Sequence, residues 1–138
     1  MSIRAGGTRA VILALGLAIK VPRVDRGSEV FLLGCLGNVQ ERRIWLSSGG
    51  DRRLARSFLC APLGLLQVAE RHRDPLRRRL TRDEMFGLPI ADFSGDSGVD
   101  DNGGNVSECD GHLVVIDYGS PGLMYMRDGP LTVRGLPR

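Results

Sequence analysis

A chain of 138 residues, 42% hydrophobic and 25% charged with a formal net charge of +3, is long enough for one domain with its own core. Three cysteines, Cys35, Cys60 and Cys109, are odd in number and form no C-x-x-C pair, which argues against a disulfide framework or a zinc-type site and points to a reducing compartment. The basic residues are scattered and not interleaved with aromatics, which make up only 5%, so composition argues against a nucleic-acid partner.

In chain order, residues 3–21 predict one or two β-hairpins. Gly6-Gly7 supplies a turn, the aliphatic run from Val11 supplies strand, Gly16 breaks it and Pro22 ends it. The apolar stretch Ala10 to Ile19 lacks a small-x-small cleavage site and is far shorter than the ~20 residues needed to span a bilayer. No membrane association is expected, and a cytoplasmic setting is expected with it. Arginine in place of lysine, with abundant glycine, suggests a GC-rich coding background in a bacterium or a phage-infected host.

A helix is expected from Gly27-Ser28, with Ser28 as its N-cap. Phe31, Leu32, Cys35, Leu36 and Val39 recur at helical spacing as its apolar stripe, continuing to Ile44 and Trp45. Gly34 and Gly37 weaken that pattern, and the run Ser47 to Asp51 stops it. Residues 54–61 and 64–69 read as neighbouring strands split by Pro62. A charged connection, 70–79, leads into a short helix reaching Phe86, with Arg77-Arg78-Arg79 as a solvated helix face. Residues 87–110 are rich in Gly, Asp, Ser and Asn. That is loop composition, and a loop of such length in a compact domain is usually functional. Asp110-Gly111 is a hairpin turn signal, followed by an apolar strand from His112 to Tyr118, which Gly119 breaks. The tail from Ser120 is expected to be irregular.

The chemistry-bearing residues stand in a particular order. Lys20 is the only lysine, at the end of Leu17-Ala18-Ile19-Lys20. Asp100 precedes Asn105 by five residues, with Gly103 and Gly104 between them, and Asp117-Tyr118-Gly119 follows at the end of a strand. Residues 1–90 carry sixteen basic and eight acidic side chains, and residues 91–138 three basic and eight acidic. A basic front part facing an acidic back part suits a metal–polyphosphate complex. Phosphoryl transfer needs such a complex, together with a carboxylate at the acceptor hydroxyl, and two oxygen ligands on fixed segments suit magnesium.

These residues resemble the protein-kinase-like family, including its aminoglycoside-phosphotransferase-type and small phage-encoded members, in patches from Gly6 to Gly119. Leu17 to Lys20 resembles the lysine motif of the third strand. Glu41 resembles its helical ion-pair partner, with Glu29 as a competitor at the helix start. Residues 65–70 resemble the strand entering the adenine hinge, and Asp117-Tyr118-Gly119 resembles the Asp-Phe-Gly motif. Asp100 to Asn105 resembles the catalytic loop, with Gly98 and Val99 where the family has His and Arg. Gly6, Gly7 and Thr8 stand for a shortened phosphate-covering loop.

The resemblance implies an α+β, protein-kinase-like fold: an N-terminal antiparallel sheet with one packed helix over 1–70, then a truncated C-terminal lobe over 71–138. It implies ATP and Mg2+ as cofactors, Lys20, Glu41, Gly6, Gly7 and Thr8 on the nucleotide, and Asn105 and Asp117 on the metal. Asp100 would be the catalytic base, with Asp101 as the alternative if the loop register differs by one. The function implied is an ATP/Mg-dependent phosphotransferase acting on a protein or small-molecule hydroxyl. The alternative is a pseudokinase-type module that binds nucleotide, or a host protein partner, without turnover.

Overall fold

The computed structural model describes residues 1–72, 74–92, 97–120 and 122–129. The architecture is mixed α+β. Strands β1 (Ser2–Ala5), β2 (Arg9–Ala14), β3 (Leu17–Pro22), β4 (Ser57–Cys60) and β5 (Gln67–Glu70) form an antiparallel sheet in the order β1-β2-β3-β5-β4. Helix α1 (Ser28–Ser48) links β3 to β4. The β2–β3 turn places Leu15 at φ 51 and Gly16 at φ 77, both left-handed, which matches the twist of the flanking strands. Strands β4 and β5 are split at Pro62–Gly64, as expected from Pro62, and pair with each other with a register shift between Ser57 and Leu59.

Period-two alternation sorts the sheet. Ala18, Lys20 and Pro22 of β3 are buried, as are Gln67 and Ala69 of β5 and Arg9 and Leu13 of β2. This inner face therefore carries two cations, and helix α1 packs against it. The buried side of α1 is Gly34, Cys35, Gly37, Asn38, Glu41 and Ile44. The expected stripe holds at Cys35 and Ile44, which are buried, and is corrected at Leu32 and Leu36, which are 58% and 57% exposed. The two glycines that weaken the helix by propensity are what let it approach. A Cβ on Gly34 would lie 2.5 Å from the Thr8 carbonyl oxygen and 3.0 Å from Pro22 Cα. The expected Ser28 cap is also corrected. Gly27 occupies the N-cap position with no side-chain cap, and the helix closes on Gly49 in the left-handed conformation.

The second half supplies most of the apolar core. Helix α2 (Arg82–Phe86) begins with a reciprocal capping box between Thr81 and Glu84. Arg77, Arg78 and Arg79 precede it rather than forming a helix face, and Arg78 grips the Glu84 carboxylate at 2.8 and 2.9 Å. Strand β6 (Ile90–Ala91) pairs with β9 (Met124–Tyr125), and β7 (Val106–Cys109) pairs with β8 (His112–Val115) across the Asp110-Gly111 turn. The expected long loop thus contains β6 and β7, and the expected irregular tail contains β9. Residues 93–96 of that loop, and the tail from 130, lie outside the described residues.

Ile44, Leu54, Leu80, Leu88, Ile90, Val99, Val106, Val115 and Tyr118 form one buried cluster, with Trp45 packed against it. Each such side chain contributes roughly 1.5–3 kcal/mol by leaving water. Among the described residues no helix is long and apolar enough to cross a membrane.

Candidate functional site

Where α1, the sheet and the segment after β8 meet, four ionised side chains and one amide form a connected cluster. Glu41 is fully buried and shared between two cations. Lys20 Nζ donates to its Oε1 at 2.5 Å, and Arg9 Nη1 donates to its Oε2 at 3.1 Å. Arg9 also donates through Nη1 to Asn38 Oδ1 at 3.0 Å and through Nη2 to Asp117 Oδ1. Asn38 spends its own amide on the carbonyls of Gly64, at 2.8 Å, and Lys20, at 3.2 Å. It thus ties α1 to β3 and to the turn before β5. Two positive and two negative charges meet with most of their hydrogen-bonding groups occupied, the condition under which buried ions are tolerated.

Asp117 is placed by backbone bonds on both sides. The Val115 N–H donates to Arg53 O at 2.8 Å, the Ala55 N–H donates to Val115 O at 2.9 Å, and the Ile116 N–H donates to Asn105 O at 2.8 Å. Lys20 Nζ adds a bond to the Ile116 carbonyl at 2.9 Å. Beyond it, Tyr118 is fully buried and its hydroxyl donates to Ala55 O at 2.6 Å. Burial of that hydroxyl raises its pKa well above the ordinary phenol value.

A cavity of about 150 Å³ opens in front of this cluster, the size of one that holds a single six-membered aromatic ring. Val11, Leu13 and Ala18 of the sheet and Ile116 give it apolar walls. Glu70, Arg71 and His72 line it as the chain leaves β5, and Lys20, Asn105 and Asp117 line it as well. The Asp117 side chain is 47% exposed. Burial in the cleft would raise its carboxyl, but the charges of Lys20 and Arg9 outweigh this and hold it below the usual carboxylate range. Arg9 is shifted the other way: burial would lower it, yet Glu41 and Asp117 hold it above its ordinary value.

Four of the residues singled out from the sequence therefore come together: Lys20, Glu41, Asn105 and Asp117. The others lie apart. Asp100 is exposed and does not line the cavity. Its neighbour Asp101 faces Arg79 at 3.6 Å. Gly6, Gly7 and Thr8 form the β1–β2 turn, closed by the Gly6 N–H donating to Arg9 O at 2.8 Å, and do not line the cavity either. Arg23 holds that turn through bonds to the Gly6 and Thr8 carbonyls. Glu29 stands at the helix start, on its first turn.

For a divalent ion, Asn105 and Asp117 offer one amide and one carboxylate oxygen, the hard donors that Mg2+ takes alongside water and phosphate. The donor set suits the ion in kind. Its carboxylate, however, already carries a bond from Arg9. Among the described residues no cluster of three or more His, Cys, Asp or Glu could hold a metal.

Two members of the cluster, Arg9 and Asn38, were not singled out from the sequence. A signal for Arg9 did exist. It stands two and four residues before Val11 and Leu13, in step with the inward-facing positions of β2. Asn38 lies three residues before Glu41, on the same helix face. No protein-family model, curated protein or solved structure matches the chain.

Proposed function

We propose that this chain is a small protein-kinase-like protein whose cleft binds a nucleotide, ATP being the form the motifs imply. The observation that carries this is the Lys20–Glu41 ion pair set beside Asp117 and Asn105, behind an apolar cavity of ring size. The heterocycle lies between Val11, Ala18 and Ile116, and the phosphates run toward Lys20. Lysine suits a phosphate as a compact point charge. Asn105 and Asp117 are the residues that would hold Mg2+, which would supply charge neutralisation on the phosphates. The binding-module reading is favoured over turnover by Asp100, which is exposed and does not line the cavity.

Thermal unfolding with ATP, in Mg2+ and in EDTA, tests the reading. A ligand that binds only the folded chain stabilises it by about 2.7 kcal/mol at a hundred times its dissociation constant. The wild type is expected to shift upward, and Lys20→Ala to shift less. A wild type that does not move in either buffer sinks the nucleotide reading.

A phosphotransferase is the second reading. It draws on the shared placement of Lys20, Asn105 and Asp117, with Asp100 as base once an acceptor is bound. Transfer of label from γ-labelled ATP to the chain or to a mixed lysate, lost in Asp100→Asn, separates it from a pure binding module.

A further inference from the structure

Arg9 is the largest departure of this cluster from a simple lysine–glutamate pair. It is 7% exposed, reaches across from β2 to the segment after β8, and takes one oxygen each from Glu41, Asn38 and Asp117. Its pairing with Asp117 spans 108 positions of sequence, so only the folded chain makes it. Arg9 does not line the cavity, and Lys20 and Asp117 do. The guanidinium therefore stands behind Asp117, not in the ligand's path.

Charge is already balanced inside the cluster. Glu41 and Asp117 are matched by Lys20 and Arg9 before any ligand arrives. A divalent ion at Asp117 would bring two further positive charges beside both cations. It would also share a carboxylate whose Oδ1 is bonded to Arg9. An anionic phosphate meets the opposite situation. Lys20 directs two of its three donor bonds to Glu41 and Ile116, which leaves one for a ligand.

We propose that Arg9 is a positioning residue, the internal counter-ion of Asp117, so that a divalent ion binds this cleft weakly and a nucleotide's phosphates are held through Lys20 largely without one. The phosphate half rests on the nucleotide-binding function proposed for the cleft. The metal half stands on the cluster alone.

Mn2+ binding to the full chain without nucleotide, read from the paramagnetic resonance of the free ion, tests the metal half. Arg9→Gln removes the competing charge and is expected to bind Mn2+ more tightly by at least about tenfold, the scale on which one charge a few ångströms away alters a carboxylate's affinity for a cation. Arg9→Gln combined with Asp117→Asn should lose that gain. Arg9→Lys keeps the charge on a shorter reach to its three partners, and it should fall between wild type and Arg9→Gln; it also serves if the glutamine variant does not fold. Equal Mn2+ affinity in wild type and in the folded variants overturns the proposal.

ATP titrations then test the phosphate half. The wild-type dissociation constant in EDTA is expected within about threefold of that in Mg2+. In Arg9→Gln, Mg2+ should become strongly favourable to ATP binding. ATP binding that the wild type shows only with Mg2+ overturns this half and leaves the nucleotide reading standing. No ATP binding in either buffer removes the nucleotide reading and the phosphate half together, while the Mn2+ comparison still decides the role of Arg9.

Discussion

Gly37 of α1 and Gly119, two residues past Asp117, lie back to back. A Cβ on Gly119 would come within 2.3 Å of the Gly37 carbonyl oxygen, and one on Gly37 within 3.2 Å of the Gly119 carbonyl oxygen. The helix that carries Glu41 and the segment that carries Asp117 are thereby held at backbone contact. Arg9 fills the space beside them, its Nη1 3.0 Å from where a Gly119 Cβ would stand.

That contact sets the first prediction. Gly119→Ala forces backbone against backbone and should cost about 1–3 kcal/mol, as overpacking does. Gly7→Ala meets nothing within 4 Å and should stay within about 0.5 kcal/mol of wild type. Urea unfolding of both variants checks this, and equal stabilities would rule out the helix–segment clasp.

Glu41 is the next test. Glu41→Ala leaves Lys20 and Arg9 buried around an empty place, and stranding a buried charge costs about 3–5 kcal/mol. Lys20→Ala still leaves Glu41 its bond from Arg9, so it should cost clearly less. Denaturant midpoints of the two variants rank them. A larger loss in Lys20→Ala would mean that Arg9 does not share the carboxylate.

Acidification probes Asp117. Its carboxyl is held below the ordinary value by Lys20 and Arg9 despite partial burial. The folded chain therefore binds this proton less readily than the unfolded chain does. The associated stability is fully present above the unfolded carboxylate pKa, and it is lost as pH falls through the lower folded value. The stability gap between wild type and Asp117→Asn should be level from about pH 7 to 5 and close below about pH 4. A gap that widens on acidification contradicts the pairing.

Having a single lysine makes the cleft chemically addressable. An amine-acylating reagent can modify Lys20 and the N-terminal amine, and no other lysine. Lys20 is 4% exposed and bonded to Glu41. It should therefore react far more slowly than the terminus, and more slowly still with ATP present. Peptide mass mapping reads both sites. Lys20 labelling as fast as the terminus would place the amine in open water.

Much of the secondary structure was legible because its causes are local. Pro62 split β4 from β5 since proline gives no ladder hydrogen bond, and Asp110-Gly111 turned the β7–β8 hairpin at φ 50 and 80. The extent of α1 was legible too, from its helical spacing and its glycine stop. Its buried face was legible only at Cys35 and Ile44. Leu32 and Leu36 belong to the same apolar pattern, yet they are exposed while Gly34, Gly37, Asn38 and Glu41 face inward. Opposite them lie strand backbone and two cations, which small and polar residues fit and leucine does not.

The order of Lys20, Asn105 and Asp117 along the chain, and the solitary status of that lysine, are properties of the sequence, and they named three of the residues that line the cavity. The sequence also placed Glu41 on the helix. Only the tertiary structure put Arg9 between Glu41 and Asp117 and left Asp100 in solvent. Spacing and periodicity act over a few residues, whereas the choice of counter-ion for a buried carboxylate depends on which distant strand the fold lays beside it.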